Sequence, residues 1–336
     1  MRICADTLYL ARYVMRRSAT LTLAALFLLA RAAASDDPRP SLLPKLQPGQ
    51  SLTYLVRWRG DKNVKTESSF AVPMAPAPSL VDALGLLRIE ILEVQHLSDR
   101  LAVHAKAQFV QPPSTAKAAT HESNFVPQNQ KSPGKSIEFT IALDGSADKI
   151  TGLDALGPDE QRIWEAWVAR FAAAWTIPRQ RARIGEKWKG EQLEPASSPI
   201  AALMWVRDSV YVRNEPCRAA QLSSDAEVSP PSGSEDTCAV LLTTAKLVQN
   251  SSSKDATPEE FKLHELKTVG TANGANEIIT YISLTTGIVV RATEEANQQM
   301  DVIVAKANAS NGVHYTVTAK SQCEVLLVAD NLPSRP

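Results

Sequence analysis

Apolar and polar residues alternate along most of the chain. Leu52, Tyr54, Val56 and Trp58 interleave with Thr53, Leu55, Arg57 and Arg59, and Ile137, Phe139, Ile141 and Leu143 alternate as cleanly before Asp144-Gly145. A period of two puts every second side chain on one face, so each run reads as a half-buried β-strand. Asp-Gly is a hairpin signal, since both residues tolerate the positive φ of a tight turn. Similar runs cover 63–72, 84–94, 101–110, 184–192, 203–213, 239–248, 277–284, 288–293, 300–305, 313–318 and 323–328. Turns fall at Gly60-Asp61, near Ser98-Asp99-Arg100, at Thr285-Thr286-Gly287 and at Asn311-Gly312. Sequential hairpins predict a mainly β fold, an antiparallel curved sheet or half-barrel, rather than alternating βαβ units.

One segment changes period. From about 158 to 175, Ile163, Trp164, Trp167, Val168, Phe171 and Trp175 recur at spacings of three and four, the stripe of an amphipathic helix. Pro158 suits its first position, Asp159 and Glu160 suit the positive end of its dipole, and Pro178 follows its end. The stripe is aromatic enough to pack the helix onto the concave side of the sheet. A second, shorter helix is predicted over 257–266, with Thr257 as N-cap and Glu260 completing a capping box.

The N-terminus carries different information. Arg16-Arg17 precedes the apolar run Ala19–Ala30, and Ala32 and Ala34 form a small-x-small pair. These are the parts of a secretory signal peptide. Twelve helical residues span about 18 Å, too short for a ~30 Å bilayer core. The chain therefore divides into a signal peptide (1–34), a proline-rich leader (35–50), an N-terminal β region (51–150), a helical segment (151–180) and a C-terminal β region (181–332). Met15 alone would begin a complete signal. The expected destination is the periplasm or the extracellular space, with no transmembrane anchor after cleavage. No cysteine lies near the cleavage point, so no N-terminal lipid anchor is expected.

Cysteine usage fits that compartment. Cys217 and Cys238 flank a Ser/Pro-rich loop, and a disulfide between them would clip its base. Cys323 is left unpaired.

Charge narrows the partners. Of 336 residues, 36 are Lys or Arg and 36 Asp or Glu. Residues 1–34 hold five cations and one acid, which leaves 31 against 35 in the rest, a net of −4. An acidic mature chain argues against nucleic acid as a partner. The one basic cluster is Arg179, Arg181, Arg183, Lys187 and Lys189, suited to an anionic headgroup or polymer.

Motifs with a chemical mechanism fail one by one. Gly134-Lys135-Ser136 lacks the leading glycine of a phosphate loop, and His264-Glu265 meets Thr268 where a zinc helix needs histidine. Asp144, Ser146 and Asp148 have calcium-loop spacing, but Lys149 and Ala155 occupy the glycine and glutamate positions. No metal ligands, cofactor or catalytic residues emerge. The sequence favours an exported, soluble binding protein for an apolar or amphiphilic small molecule or an envelope component. Trp164, Trp167, Phe171 and Trp175 are its candidate ligand contacts. An exported hydrolase with a scattered active site, or a structural or adhesive surface module, are the alternative readings.

Overall fold

The computed structural model describes residues 40–67, 79–97, 100–110, 136–142, 144–178, 180–193, 198–222, 236–309 and 311–332. The signal segment, residues 35–39 of the leader and residues 111–135, expected to be a loop, lie outside these residues.

The half-barrel predicted from the alternation is present as one open antiparallel sheet. Its strands are β1 (Ser51–Glu67), β2 (Ser79–Leu97), β3 (Arg100–Val110), β4 (Ile137–Ala142), β5 (Ala147–Thr151), β6 (Lys187–Leu193), β7 (Leu203–Pro216), β8 (Thr237–Gln249), β9 (Leu266–Ser283), β10 (Val289–Lys306) and β11 (Gly312–Asn331). Their spatial order is β5-β4-β3-β2-β1-β11-β10-β9-β8-β7-β6. Two meanders, β1–β5 and β6–β11, thus meet where the first strand pairs with the last, with Trp58 opposite Cys323.

Helix α1 (Pro158–Ala173) carries the chain from the β5 edge to the β6 edge. It lies on the face that presents Leu52, Tyr54 and Val56 of β1, Leu87 and Ile89 of β2, and Phe139 and Ile141 of β4. No ladder joins β5 to β6; the segment after α1 fills the gap instead. Thr176 forms a bridge with Asp144, and its carbonyl accepts from Trp188 Nε1 (3.3 Å). Arg207 Nη1 donates to the Gly145 carbonyl (3.3 Å). Gly145 has φ 77°. A side chain there would overlap Thr176 Oγ1, so the Asp-Gly turn both closes the hairpin and admits the gap-filling segment.

Three sequence expectations are corrected. First, the chain does not turn at Gly60-Asp61. β1 runs straight through, paired with β2 on one side and β11 on the other, and two ladders outweigh a local turn signal. A Cβ at Gly60 would stand 3.8 Å from the Trp58 indole, in ordinary contact, so the strand itself does not require glycine there. Second, the runs 288–293 and 300–305 are one strand, as are 313–318 and 323–328, and β9 starts well before residue 277. Third, the helix predicted over 257–266 is a single turn, Glu259–Leu263, with Pro258 at its N-cap. Thr257 does not cap it: its hydroxyl donates to Asp255 Oδ1 (2.8 Å) and accepts from the Thr268 amide (3.0 Å).

The Cys217–Cys238 disulfide is formed, with Cα atoms 4.9 Å apart. It starts a short helix, Cys217–Leu222, and Cys217 packs with Val290 and Tyr281 in a small separate cluster. Cys323 is free and buried.

Candidate functional site

The concave face has three zones, set by which side chains the long strands place there. The first is the aromatic wedge of α1. Trp164, Trp167, Phe171 and Trp175 are each no more than 5% exposed. Trp167 stacks on Phe171 at 5.0 Å and meets Trp164 edge-on at 5.8 Å. Phe109, Phe139 and Tyr54 complete the contacts from the sheet, with Tyr54 5.4 Å from Phe171. Burial pushes the Tyr54 phenol far above its ordinary pKa, and its hydroxyl donates to the Val289 carbonyl (3.0 Å). Ring pairs in these geometries add to the burial of apolar area and hold the helix in one position.

The second zone is a polar band across β1, β11, β10 and β9. Arg170, on α1 between the aromatic rungs, donates to Ser321 Oγ (2.8 Å) and lies 3.6 Å from Glu294 Oε2. Its guanidinium sits 5.5 Å over the Trp58 ring, a cation–π contact. Asn276 Nδ2 donates to the other Glu294 oxygen (2.7 Å). Cys323 is directly across from Glu294, and burial, helped by that carboxylate, pushes its thiol up to about 12. A thiol so protonated is an inert packing group at neutral pH.

The third zone lies beyond the band, toward the far ends of β1, β10 and β11, where α1 does not reach. Here the concave face turns apolar again and stays open as a cavity of about 550 Å³. Its floor is Val64, Val317, Met300, Val302, Val304 and Tyr315. The register requires this convergence, since Val317 lies opposite both Val64 and Met300, and Tyr315 opposite Val302. Pro199 borders the cavity from a loop and Phe261 from the short helical turn Glu259–Leu263, and Lys62, Gln298 and Ser198 supply its polar groups. These segments are tied down by backbone and side-chain bonds: Ala201 N donates to Ala256 O (2.8 Å) and Ser251 Oγ to Ala201 O (2.7 Å). Ile200, Leu203, Leu247, Ala256 and Ala272 are buried behind them.

None of the four aromatic residues singled out by sequence lines this cavity. They form the closed end of the same face. The basic cluster lies elsewhere again. Arg181, Arg183, Lys187 and Lys189 are exposed, while Arg179 is outside the described residues. Lys187 pairs with Val210 in the middle of β7, at the opposite end of β6 from Leu193, which pairs with Met204. Sequence reasoning missed the cavity because its floor joins β1 to β10 and β11, strands far apart in sequence. One signal was available: Met300, Val302 and Val304 form an apolar face that the one persuasive helix is too short to cover.

Among the described residues no group of three or more His, Cys, Asp or Glu side chains could hold a metal ion. No described helix is long and apolar enough to cross a membrane.

No protein-family profile and no curated protein matches the chain. Among solved structures, the chain is similar to a Bacteroides fragilis protein provisionally described as exported, with a YmcC-like fold. That match is 10% identical, has a TM-score of 0.27 and covers 87% of this chain and 100% of the other. It is also similar to a protein from Parabacteroides distasonis provisionally described as a lipoprotein, 8% identical with a TM-score of 0.25, covering 87% and 99%. At such scores neither likeness carries a conclusion about fold or function.

Proposed function

We propose that this is an exported binding protein that holds an apolar or amphiphilic small molecule in the cavity beyond the polar band. The observation that supports this reading is the unfilled apolar end of an otherwise packed concave face. Its volume of about 550 Å³ falls within the roughly 300–1,000 Å³ of small-molecule sites, which are mainly apolar with a few placed polar groups. Export rests on the signal pattern of residues 1–34. In this reading Trp164, Trp167, Phe171 and Trp175 fix α1 on the closed end of the face without touching the ligand, and Lys62 and Gln298 meet the polar part of the ligand at the rim. No covalent chemistry is required of any residue in the cavity.

Native mass spectrometry of the protein purified from its host's envelope fraction is the test. The expected result is a co-purified amphiphile that a Val317→Trp substitution, which fills the cavity, weakens at least roughly tenfold. Trp167→Leu should lower stability yet keep the ligand. A ligand-free wild type, or a Val317→Trp protein that still carries ligand, overturns the proposal. Loss of ligand in Trp167→Leu alone would place the ligand along the aromatic stripe instead.

A further inference from the structure

The loop between α1 and β6 carries a second feature, at the β6 edge of the sheet. After Thr176 the chain turns at Ile184-Gly185, where Gly185 has φ 88°. The turn is held from inside. Gly185 N donates to the Tyr211 carbonyl (2.7 Å), Tyr211 N to the Glu186 carbonyl (3.1 Å), and Ala182 N to the Pro40 carbonyl (3.3 Å). The acid in the loop is used locally, since Glu186 Oε2 accepts from the Arg183 amide (3.2 Å).

What the turn presents outward is unusual for this molecule. Ile184 is 55% exposed at the apex, with Arg181, Arg183, Lys187 and Lys189 exposed around it. Lys189 is 3.7 Å from Asp208, but both side chains are well exposed and the pair does little to neutralise the patch. An exposed apolar residue flanked in sequence by four exposed cations has a specific physical complement. Cations gain from the negative potential of an anionic lipid surface, and an apolar side chain gains by entering the boundary between headgroups and acyl chains. A soluble polyanion would match the cations but leave Ile184 in water. The rest of the chain beyond residue 34 is net acidic, so an anionic surface repels the body while attracting this tip, which orients the molecule.

We infer that Arg181, Arg183, Ile184, Lys187 and Lys189 form a reversible docking tip for anionic bilayer surfaces. This surface is separate from the ligand cavity, and its existence does not depend on what the cavity holds.

The test is sedimentation of the full chain with vesicles of equimolar phosphatidylglycerol and phosphatidylcholine, against phosphatidylcholine alone. Each variant is run beside the wild type so that any contribution of residues 1–39 cancels. Binding should appear only with the anionic vesicles and weaken as salt rises. Each cation removed should weaken partitioning roughly fivefold, so Arg181→Ala/Arg183→Ala should lose roughly twenty-five-fold. Ile184→Ser should lose several-fold with its charge unchanged. Because all these tip side chains are exposed, unchanged circular dichroism confirms the variants are folded. The inference is overturned if wild type ignores anionic vesicles or if the double arginine variant binds undiminished. If the arginine variant fails while Ile184→Ser binds fully, the partner is a polyanion and the bilayer assignment is wrong.

Discussion

At the scale of single residues, the outward face of β11 holds the clearest titrating group. His314 Nε2 lies 3.0 Å from Asp301 Oδ1, and Nδ1 lies 3.5 Å from Glu67 Oε2. The hydrogen bond to Asp301, more than the nearby charge, raises its pKa above the ordinary histidine value. A raised folded pKa means the protonated form is favoured by folding. The stabilisation is therefore fully present below the unfolded value of about 6.5 and disappears as pH rises through the folded one. Thermal melts from about pH 5.5 to about pH 8.5 should show wild type losing stability relative to His314→Gln across that window. Parallel curves would mean the contacts do not persist in solution. Arg170 and Glu294 behave differently because Glu294 is only 7% exposed. Replacing Arg170 with Met leaves that carboxylate facing the helix without its cation, at an expected cost of about 2–3 kcal/mol. Glu294→Gln in the same background should recover about half of it, measured by urea unfolding of all four proteins. Additive losses would deny the coupling.

At the scale of elements, what was legible in the sequence follows from what covers each strand. Helix α1 and its aromatic stripe were readable because the stripe faces one continuous apolar surface, from Tyr54 to Phe139. The hairpin at Asp144-Gly145 was readable because Gly145 supplies the positive φ of its turn. The long strands read as broken because their inward positions change character along their length. In β10 these positions run Ala292, Glu294, Ala296, Gln298, Met300, Val302, Val304. Alternation is lost through the middle, where the polar band crosses, and returns beyond it. A period-two pattern reports burial, not hydrogen bonding, so a strand crossing a polar band looks like two strands and a loop. The same broken pattern marks where the cavity begins. It could not show that loops 198–202 and 251–258 come over the end, since their contacts depend on tertiary placement.

At the scale of the whole molecule, the chain from Pro40 onward forms one compact unit. The N-terminal and C-terminal β regions share their core through the β1–β11 pairing and through α1, which touches both. Unfolding should accordingly appear as one transition, with tryptophan fluorescence and far-ultraviolet circular dichroism giving coincident midpoints in urea. Two separated midpoints would mean the meanders are independent domains.

The central β1–β11 pairing also dictates an order of assembly. Gln50 Nε2 reaches Asp330 Oδ1 (2.7 Å) across 280 residues of sequence. Each meander can zip locally from its hairpins, but the middle of the sheet has to wait for the last residues to arrive. Closing so long a loop is entropically costly and slow. Until it closes, β1 and β11 are unpaired edges on two half-sheets, the kind of surface that recruits other chains. The segment that is safest once buried at the centre is thus the molecule's most dangerous one beforehand, and any shortage of the C-terminal strand during synthesis leaves aggregation, rather than partial folding, as the ready outcome.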